Sequence, residues 1–268
     1  MLLDSQIEAW LAEDVGHRDV TDDVPGTTTG RLVAKADGVF AGMDAAEAVF
    51  DYLDCALLER TRDGEPVSAG DVLFRVEGPA TDVLRAERPA TNVTMHASGI
   101  ATRTQRAVRA ARETSDSVAI AGTRKTTPGL RGIEKRAVEA GGGDTHRLDL
   151  SHMVLIKENH IAELGLEQAI ERFDERSSFA TKLEVEVETP AMATRAVAAG
   201  ADIVLLDNMT PAETRKAVAL VDGDTLTEAS GEIGLETIAA YADTGVDIVS
   251  MGGLTYGASW LDCSFRTG

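Results

Sequence analysis

Lysine is scarce in this chain: only 6 of its 26 basic residues are Lys, and those 26 face 45 Asp and Glu, leaving a net charge of -19. Aromatic residues make up 4%, so the apolar 43% is mostly Val, Leu, Ile and Ala. There are two cysteines, Cys55 and Cys263, far apart in the chain. They fit no metal-ligand spacing, and a reducing cytoplasm is the simplest home for them. No apolar run approaches a membrane span. The start, MLLDSQIEAWLAEDVG, is acidic and amphipathic and lacks the basic head and apolar middle of a signal peptide. Each shortage closes a class of function. The acidic balance argues against a nucleic-acid surface, and the missing apolar run argues against a membrane protein. An Arg-rich, strongly acidic chain is what solubility at high salt favours, because like charges oppose association and salt screens the self-repulsion. A salt-loving source is therefore expected.

Against this background one segment reverses sign. Thr123–Arg147, TRKTTPGLRGIEKRAVEAGGGDTHR, holds Arg124, Lys125, Arg131, Lys135, Arg136 and Arg147 against Glu134, Glu139 and Asp144. A cationic island on an acidic protein is a candidate site for an anion, and Gly and Pro at its ends suit a pocket. Arg131, Lys135 and Arg136 lie on the intervening helical stretch, where a solvated face or a subunit contact is expected. The triple glycine at 141–143 has no GK[ST] after it and is no P-loop. It reads as a helix end that turns His146 and Arg147 toward the pocket.

The 268 residues allow one large domain or two small ones. An amphipathic helix around Ile7, Trp10 and Leu11 opens the chain. From about Gly30 to Asp82 the text is strand-like, with one helix near Ala45–Leu53 and a run, GEPVSAGDVLFRVEGPATDVL, that suggests hairpins. From Glu87 onward the pattern alternates. Buried-strand candidates are Val118–Ala121, Met153–Ile156, Leu183–Val187, Ile203–Leu206, Leu226–Ala229 and Ile248–Met251, with helical segments between them. That alternation predicts a parallel sheet covered by helices, and six or seven βα units suit a barrel.

In such barrels, functional residues lie at the C-terminal strand ends. The strand candidates deliver Arg124 and Lys125, then Lys157, Glu184 and Glu186, Asp207, Ser230-Gly231 and Gly252-Gly253. Arg124, Lys125, Arg147 and Lys157 suit carboxylates or phosphates. Glu186 and Asp207 suit sugar hydroxyls or Mg²⁺. Ser230, Gly231, Gly252 and Gly253 can present backbone N–H groups to a phosphate. The set describes a site for a phosphosugar and a carboxylated partner. Glu184 and Glu186 have a plainer alternative, pairing with barrel cations to fill the interior, and His96 and His152 read as structural.

The central segment, running on into LDLSHMVLIKENHI, resembles the quinolinate phosphoribosyltransferase family, as do EDVGHRDVT, ERPATNVTMHASGIAT, KLEVEVET, VLLDNM, EASGEI and GVDIVSMGGLT. The resemblance implies an α/β fold: an open α/β barrel over residues 99–256 and an N-terminal α/β sandwich domain over 1–98, joined by the tail 257–268. It implies a homodimer that joins quinolinate to phosphoribosyl pyrophosphate with Mg²⁺. By motif position, Arg124, His146, Arg147 and Lys157 would line the quinolinate pocket, with Lys125 shared with the phosphoribosyl side. Arg88 would reach in from the neighbouring subunit. Glu186 and Asp207 would hold ribose hydroxyls and Mg²⁺, and Ser230, Gly231, Gly252 and Gly253 the 5′-phosphate. Catalysis would fall to Lys125, Lys157, Glu186 and Asp207. Two positions depart from the family pattern, Glu232 in SGEI and Tyr256 after LT, both at the phosphoribosyl end. The alternatives are a ModD-like paralogue acting on another substrate, a Schiff-base aldolase using Lys157, and a phosphometabolite-binding protein without turnover.

Overall fold

The computed structural model describes residues 4–221 and 223–268. They form two compact units. The first takes the chain up to Gln105, with Gly132–Gly142 and Ala258–Gly268; the second takes Arg106–Arg131 and Gly143–Gly257. The helical part of the cationic island, expected in the barrel, therefore belongs to the first unit.

The first unit opens with α1 (Asp4–Val15), then β1 (Thr27–Ala34), β2 (Gly38–Val39), α2 (Met43–Tyr52), β3 (Ala56–Arg60), β4 (Pro66–Val67) and β5 (Val72–Pro79). The long helix α3 (Ala80–Arg112) starts in this unit. The sequence suggests hairpins within residues 64–84; the pairing is non-local instead. β4 pairs with β2, and β5 pairs with β1 and β3. The C-terminal strand of the chain pairs antiparallel with β1, putting Phe265 opposite Leu32. The core beneath the sheet is built on Phe40, Phe50 and Phe74, all fully buried. Phe265 stacks on Phe50 at 6.1 Å. Few aromatics thus serve one core, where large rings bury the most area per residue. Burial pushes the Cys55 and Cys263 thiols up, to about 11 and about 12. Both are free, and with so little thiolate neither is a nucleophile at neutral pH.

The second unit holds β6 (Ala119–Ala121). After α4 (Arg131–Ala140) come β7 (Val154–Ile156), α5 (Glu158–Leu164), α6 (Leu166–Asp174), β8 (Leu183–Val187), α7 (Pro190–Ala198), β9 (Ile203–Asp207) and α8 (Pro211–Leu220). β10 (Leu226–Ser230), α9 (Ile238–Ala242), β11 (Ile248–Ser250) and α10 (Gly253–Tyr256) follow; β12 (Cys263–Thr267) is the strand that returns to the first unit. The six strands pair in parallel in the order β6-β11-β10-β9-β8-β7. The end strands β6 and β7 do not pair with each other, so the barrel is open. All six strand candidates of the sequence are present within one or two residues.

Two threonine–proline steps explain how the strands hand over to helices so quickly. Thr189 caps α7 by accepting from the Met192 N–H, and Thr210 caps α8 in a reciprocal box with Glu213. Pro190 and Pro211 take first-turn positions, where no N–H is needed. The two-residue side-chain period then sorts the strands. Val185, Val187, Val204, Leu206, Ala229 and Val249 are fully buried. The alternate set, Glu184, Glu186, Leu205, Asp207, Glu228, Ser230 and Ser250, shares the opposite parity. Cross-strand register puts Glu186 beside Leu205, Leu205 beside Glu228, and Asp207 beside Ser230. Among the described residues, no helix is long and apolar enough to cross a membrane.

Candidate active site

A cleft in the second unit gathers most of the residues singled out from sequence. Arg124, Lys125, His146, Arg147, Lys157, Glu186, Asp207, Ser230, Gly231 and Gly252 all line it, with Thr123, Leu155, Leu205, Glu228 and Ser250 between them. Gly253 does not line it; it opens α10. Arg88 belongs to the first unit, exposes 58% of its side chain and pairs at 3.7 Å with Glu87. A separate cleft in the first unit is lined by Arg60, Asp63 and Arg136 among others. There Arg60 is tied to Glu47, and Asp63 accepts from the Gly42 and Met43 N–H groups at the start of α2.

The cations come from two loops. After β6 the chain turns through Thr123–Thr126. Lys125 N–H donates to Thr123, and the Thr255 hydroxyl donates to the Lys125 carbonyl at 2.6 Å. Gly252 leaves room for the Lys125 stem, since a Cβ there would lie 2.8 Å from Lys125 Cδ. Arg124 has a buried Nε with no hydrogen-bond partner among the described residues. A buried guanidinium donor that no protein acceptor engages suits an anion. Arg147 is 8% exposed. Burial, and then the neighbouring Arg124 charge, lower its pKa. Two guanidinium groups near enough to repel across a buried floor favour an anion between them.

The acids face them. Lys157, just after β7, is in direct contact with Glu186. Its N–H donates to the His160 ring, which rests edge-on against Phe173, so His160 fixes the start of α5. Asp207 accepts from its neighbour Asn208 at 2.7 Å. Burial, and then Glu186, hold its pKa above the aspartate value. Asn208 sits at φ 54, with its N–H on the Ser230 carbonyl at 2.9 Å. The two strand ends that carry Asp207 and Ser230 are thereby locked together.

Beneath lies a cluster that the sequence reading only half sees. His146 Nε2 is 3.0 Å from Glu228 and 3.6 Å from Glu184. Glu184 and Glu228 are 0% and 1% exposed. Burial by itself would lower the His146 pKa; the adjacent carboxylates of Glu184 and Glu228 override that and pull it up to about 10. The Arg147 N–H opposes that pull, because it donates to Nδ1 at 2.7 Å. A 2.7 Å contact with a donor requires a lone pair on Nδ1, so the geometry describes a neutral ring with its proton on Nε2. Glu184 has no donor on either oxygen. Burial raises its pKa to about 7, so of the two acids Glu184 holds a proton more readily. Glu228 is the ionised one: burial opposes that, but the His146 ring at 3.0 Å outweighs it and lowers the Glu228 pKa. The three ligand atoms lie within 4.8 Å of one another, close enough for a metal ion, but a proton on Nε2, a proton on Glu184 and one ionised carboxylate already account for their spacing.

This assignment carries a pH prediction. A carboxyl whose folded pKa exceeds its unfolded value binds more protons when folded, so its contribution to stability falls as pH rises from about 4.5 to about 7. Wild type should therefore lose melting temperature relative to Glu184→Gln between pH 5 and pH 7.5. Parallel melting curves across that range would refute the protonated assignment.

Glu228 is the residue the sequence reading missed. Its signal was an acid inside an apolar strand candidate, two positions before Ser230 and hence on the same face. His96 and His152 are structural: His96 hydrogen-bonds Glu134 at 2.9 Å, and His152 accepts from the Leu148 N–H. Lys135, expected on a solvated face or at a subunit contact, is 3% exposed, and Arg131 donates to the Thr126 hydroxyl. Glu232 and Tyr256 are exposed.

An open parallel barrel with opposed cations and carboxylates at its strand ends defines a phosphosugar-handling enzyme. Comparison with known proteins narrows the class. Residues 100–266 match the family model of the quinolinate phosphoribosyl transferase C-terminal domain, and residues 19–98 that of the N-terminal domain. The chain is 42% identical to a probable nicotinate-nucleotide pyrophosphorylase [carboxylating] of Methanothermobacter thermautotrophicus, covering 97% of each chain. It is 36% identical to the human nicotinate-nucleotide pyrophosphorylase [carboxylating], covering 97% of this chain and 90% of that one. The solved structure of the nicotinate-nucleotide pyrophosphorylase from Francisella tularensis superposes with a TM-score of 0.93 at 32% identity, over 100% of this chain and 98% of that one. The chain belongs to the quinolinate phosphoribosyl transferase family.

Proposed function

We propose that the protein transfers the phosphoribosyl group of phosphoribosyl pyrophosphate to quinolinate with loss of CO₂, giving nicotinate mononucleotide and pyrophosphate in NAD biosynthesis. The observation that carries this reading is the buried, unpartnered Arg124 Nε beside buried Arg147, opposite Glu186 and Asp207 in one cleft. Quinolinate is a dianion and its partner a polyanion, so their repulsion must be offset where they meet. Arg124, Arg147 and Lys157 take the quinolinate carboxylates, and Lys125 neutralises charge between the two substrates. Ser230, Gly231 and Gly252, with Gly253 behind them, offer backbone N–H groups to the 5′-phosphate. Glu186 and Asp207 hold the ribose hydroxyls.

The ring nitrogen attacks the anomeric carbon as the bond to pyrophosphate breaks. Positive charge builds on the sugar, and nearby carboxylates stabilise it. The ribosylated nitrogen is then cationic and accepts the electron pair released when the adjacent carboxylate leaves as CO₂. A proton then replaces the carboxylate on that ring carbon. No covalent nucleophile is needed; the protein positions and neutralises. Glu186 and Asp207 are the hard oxygen donors that suit Mg²⁺; burial and then the nearby Glu186 raise the Asp207 pKa, and a cation would relieve that repulsion. Mg²⁺ would supply charge neutralisation for the pyrophosphate. The aldolase alternative needs an isolated amine, whereas Lys157 is engaged by Glu186.

The test is one assay: purified protein with quinolinate, phosphoribosyl pyrophosphate and Mg²⁺, at low and at molar salt. Nicotinate mononucleotide and CO₂ are expected, with activity retained at molar salt if the acidic surface is an adaptation to it. No product at either salt would sink the reading. A soluble, cytoplasmic homodimer fits the composition, and Arg88 would then serve the neighbouring copy. Mixed Arg88→Ala and Lys157→Ala proteins, each inactive alone, should regain about a quarter of wild-type activity, because one site in four is then intact. Failure to regain activity would place Arg88 in its own subunit's structure.

A further inference from the structure

His146 lines the cleft, yet neither of its ring nitrogens is free for a ligand. Nδ1 accepts the Arg147 N–H at 2.7 Å, and Nε2 faces Glu228 at 3.0 Å and Glu184 at 3.6 Å. The backbone is equally committed. His146 sits at φ 52, a conformation a side chain with a Cβ adopts only when its surroundings hold it there. Its N–H donates to Asp144 at 2.6 Å, and Asp144 itself joins the sheet through an isolated bridge to Ala121. The loop that delivers Arg147 is thus fastened to β6 through Asp144 and to β8 and β10 through the imidazole.

We infer that His146, Glu228 and Glu184 form a buried bracket that positions Arg147, and that His146 acts through Arg147 rather than by touching the substrate. Two acids under an anion-binding floor would otherwise work against the site. As a bracket they do not: burial raises the Glu184 pKa toward its neutral form, and the Glu228 carboxylate is held by the imidazole Nε2 at 3.0 Å. The inference rests on the proposed reading, in which Arg147 meets a substrate carboxylate. It assigns Glu228 and Glu184 as positioning residues for the same reaction.

Two measurements test it. The first needs no turnover. Nitrogen-15 NMR of histidine-labelled wild-type protein should show His146 with Nδ1 unprotonated and Nε2 protonated, both free and saturated with benzene-1,2-dicarboxylate. That probe has the two adjacent carboxylates but no ring nitrogen to react. A change of His146 to the doubly protonated ring on binding, or loss of its Nε2 proton, would overturn the inference. The second is kinetic. Glu228→Gln keeps an oxygen for the Nε2 proton and should stay within about threefold of wild type, whereas Glu228→Ala should raise KM for quinolinate at least tenfold with KM for phosphoribosyl pyrophosphate unmoved. If both KM values rise together in step with a lower melting temperature, or neither rises, Glu228 does not position Arg147. Should Glu228→Ala fail to fold, the NMR outcome decides alone. An inactive wild type would sink the function, whereas the NMR signature reports on the bracket in either case.

Discussion

Arg147→Ala should lower kcat/KM for quinolinate by roughly 10²- to 10³-fold, the range expected when one partner of a buried, hydrogen-bonded charge pair is removed at about 2–5 kcal/mol. The side chain is buried beside Arg124 at the floor of the cleft. Its loss removes a planar two-toothed donor for a carboxylate, and it leaves Glu186 and Glu228 with less compensating charge. Arg147→Lys should recover only part of the loss, because an ammonium is a point charge and cannot match a carboxylate with two parallel N–H bonds. Steady-state kinetics with both substrates, alongside melting curves, checks this. A variant within threefold of wild type would remove Arg147 from the substrate site, and the bracket would then position nothing.

Gly231→Ala acts at the other end of the cleft through sterics. Gly231 sits at φ 132, which L side chains rarely adopt, and a Cβ there would lie 2.6 Å from Asn208 Oδ1 and 3.1 Å from Asn208 Cα. The nearby backbone has no slack, since Asn208 is itself left-handed and bonded to Ser230. Strain of about 1–3 kcal/mol is expected, or roughly 2–10 °C in melting temperature for a chain of this size. The displaced Asn208 carries Asp207 with it through their 2.7 Å hydrogen bond. KM for phosphoribosyl pyrophosphate should therefore rise about a hundredfold, while binding of benzene-1,2-dicarboxylate stays near wild type. Equal loss at both ends would mean that Gly231 shapes the barrel as a whole rather than the phosphate end.

The contrast between these variants reflects what each residue shows in the text of the chain. Arg147 is visible because its charge stands out from an acidic background, and Gly231 because it follows a strand. Glu228 was passed over. Its contact with His146 spans 82 positions, and nothing local announces it. The 64–84 run reads as hairpins for a related reason: turn residues mark where a chain bends, whereas β5 pairs with β1 and β3. The same holds for Lys135. Its charge suggested a solvated face, and packing within the first unit buries it instead.

The sequence by itself determined the alternation of strands and helices, the parity of side chains along each strand and the residue types at the strand ends. Those are properties of a few neighbouring residues: a two-residue period, a capping threonine before proline, and a left-handed turn that needs glycine. Tertiary structure alone decided the strand order, which puts β8, β9 and β10 side by side and so sets Glu186 beside Leu205 and Asp207 beside Ser230. It also decided which buried acid keeps its proton. Proton affinity depends on the summed field and on the desolvation of groups remote in sequence, and both come into being only when the sheet closes around them.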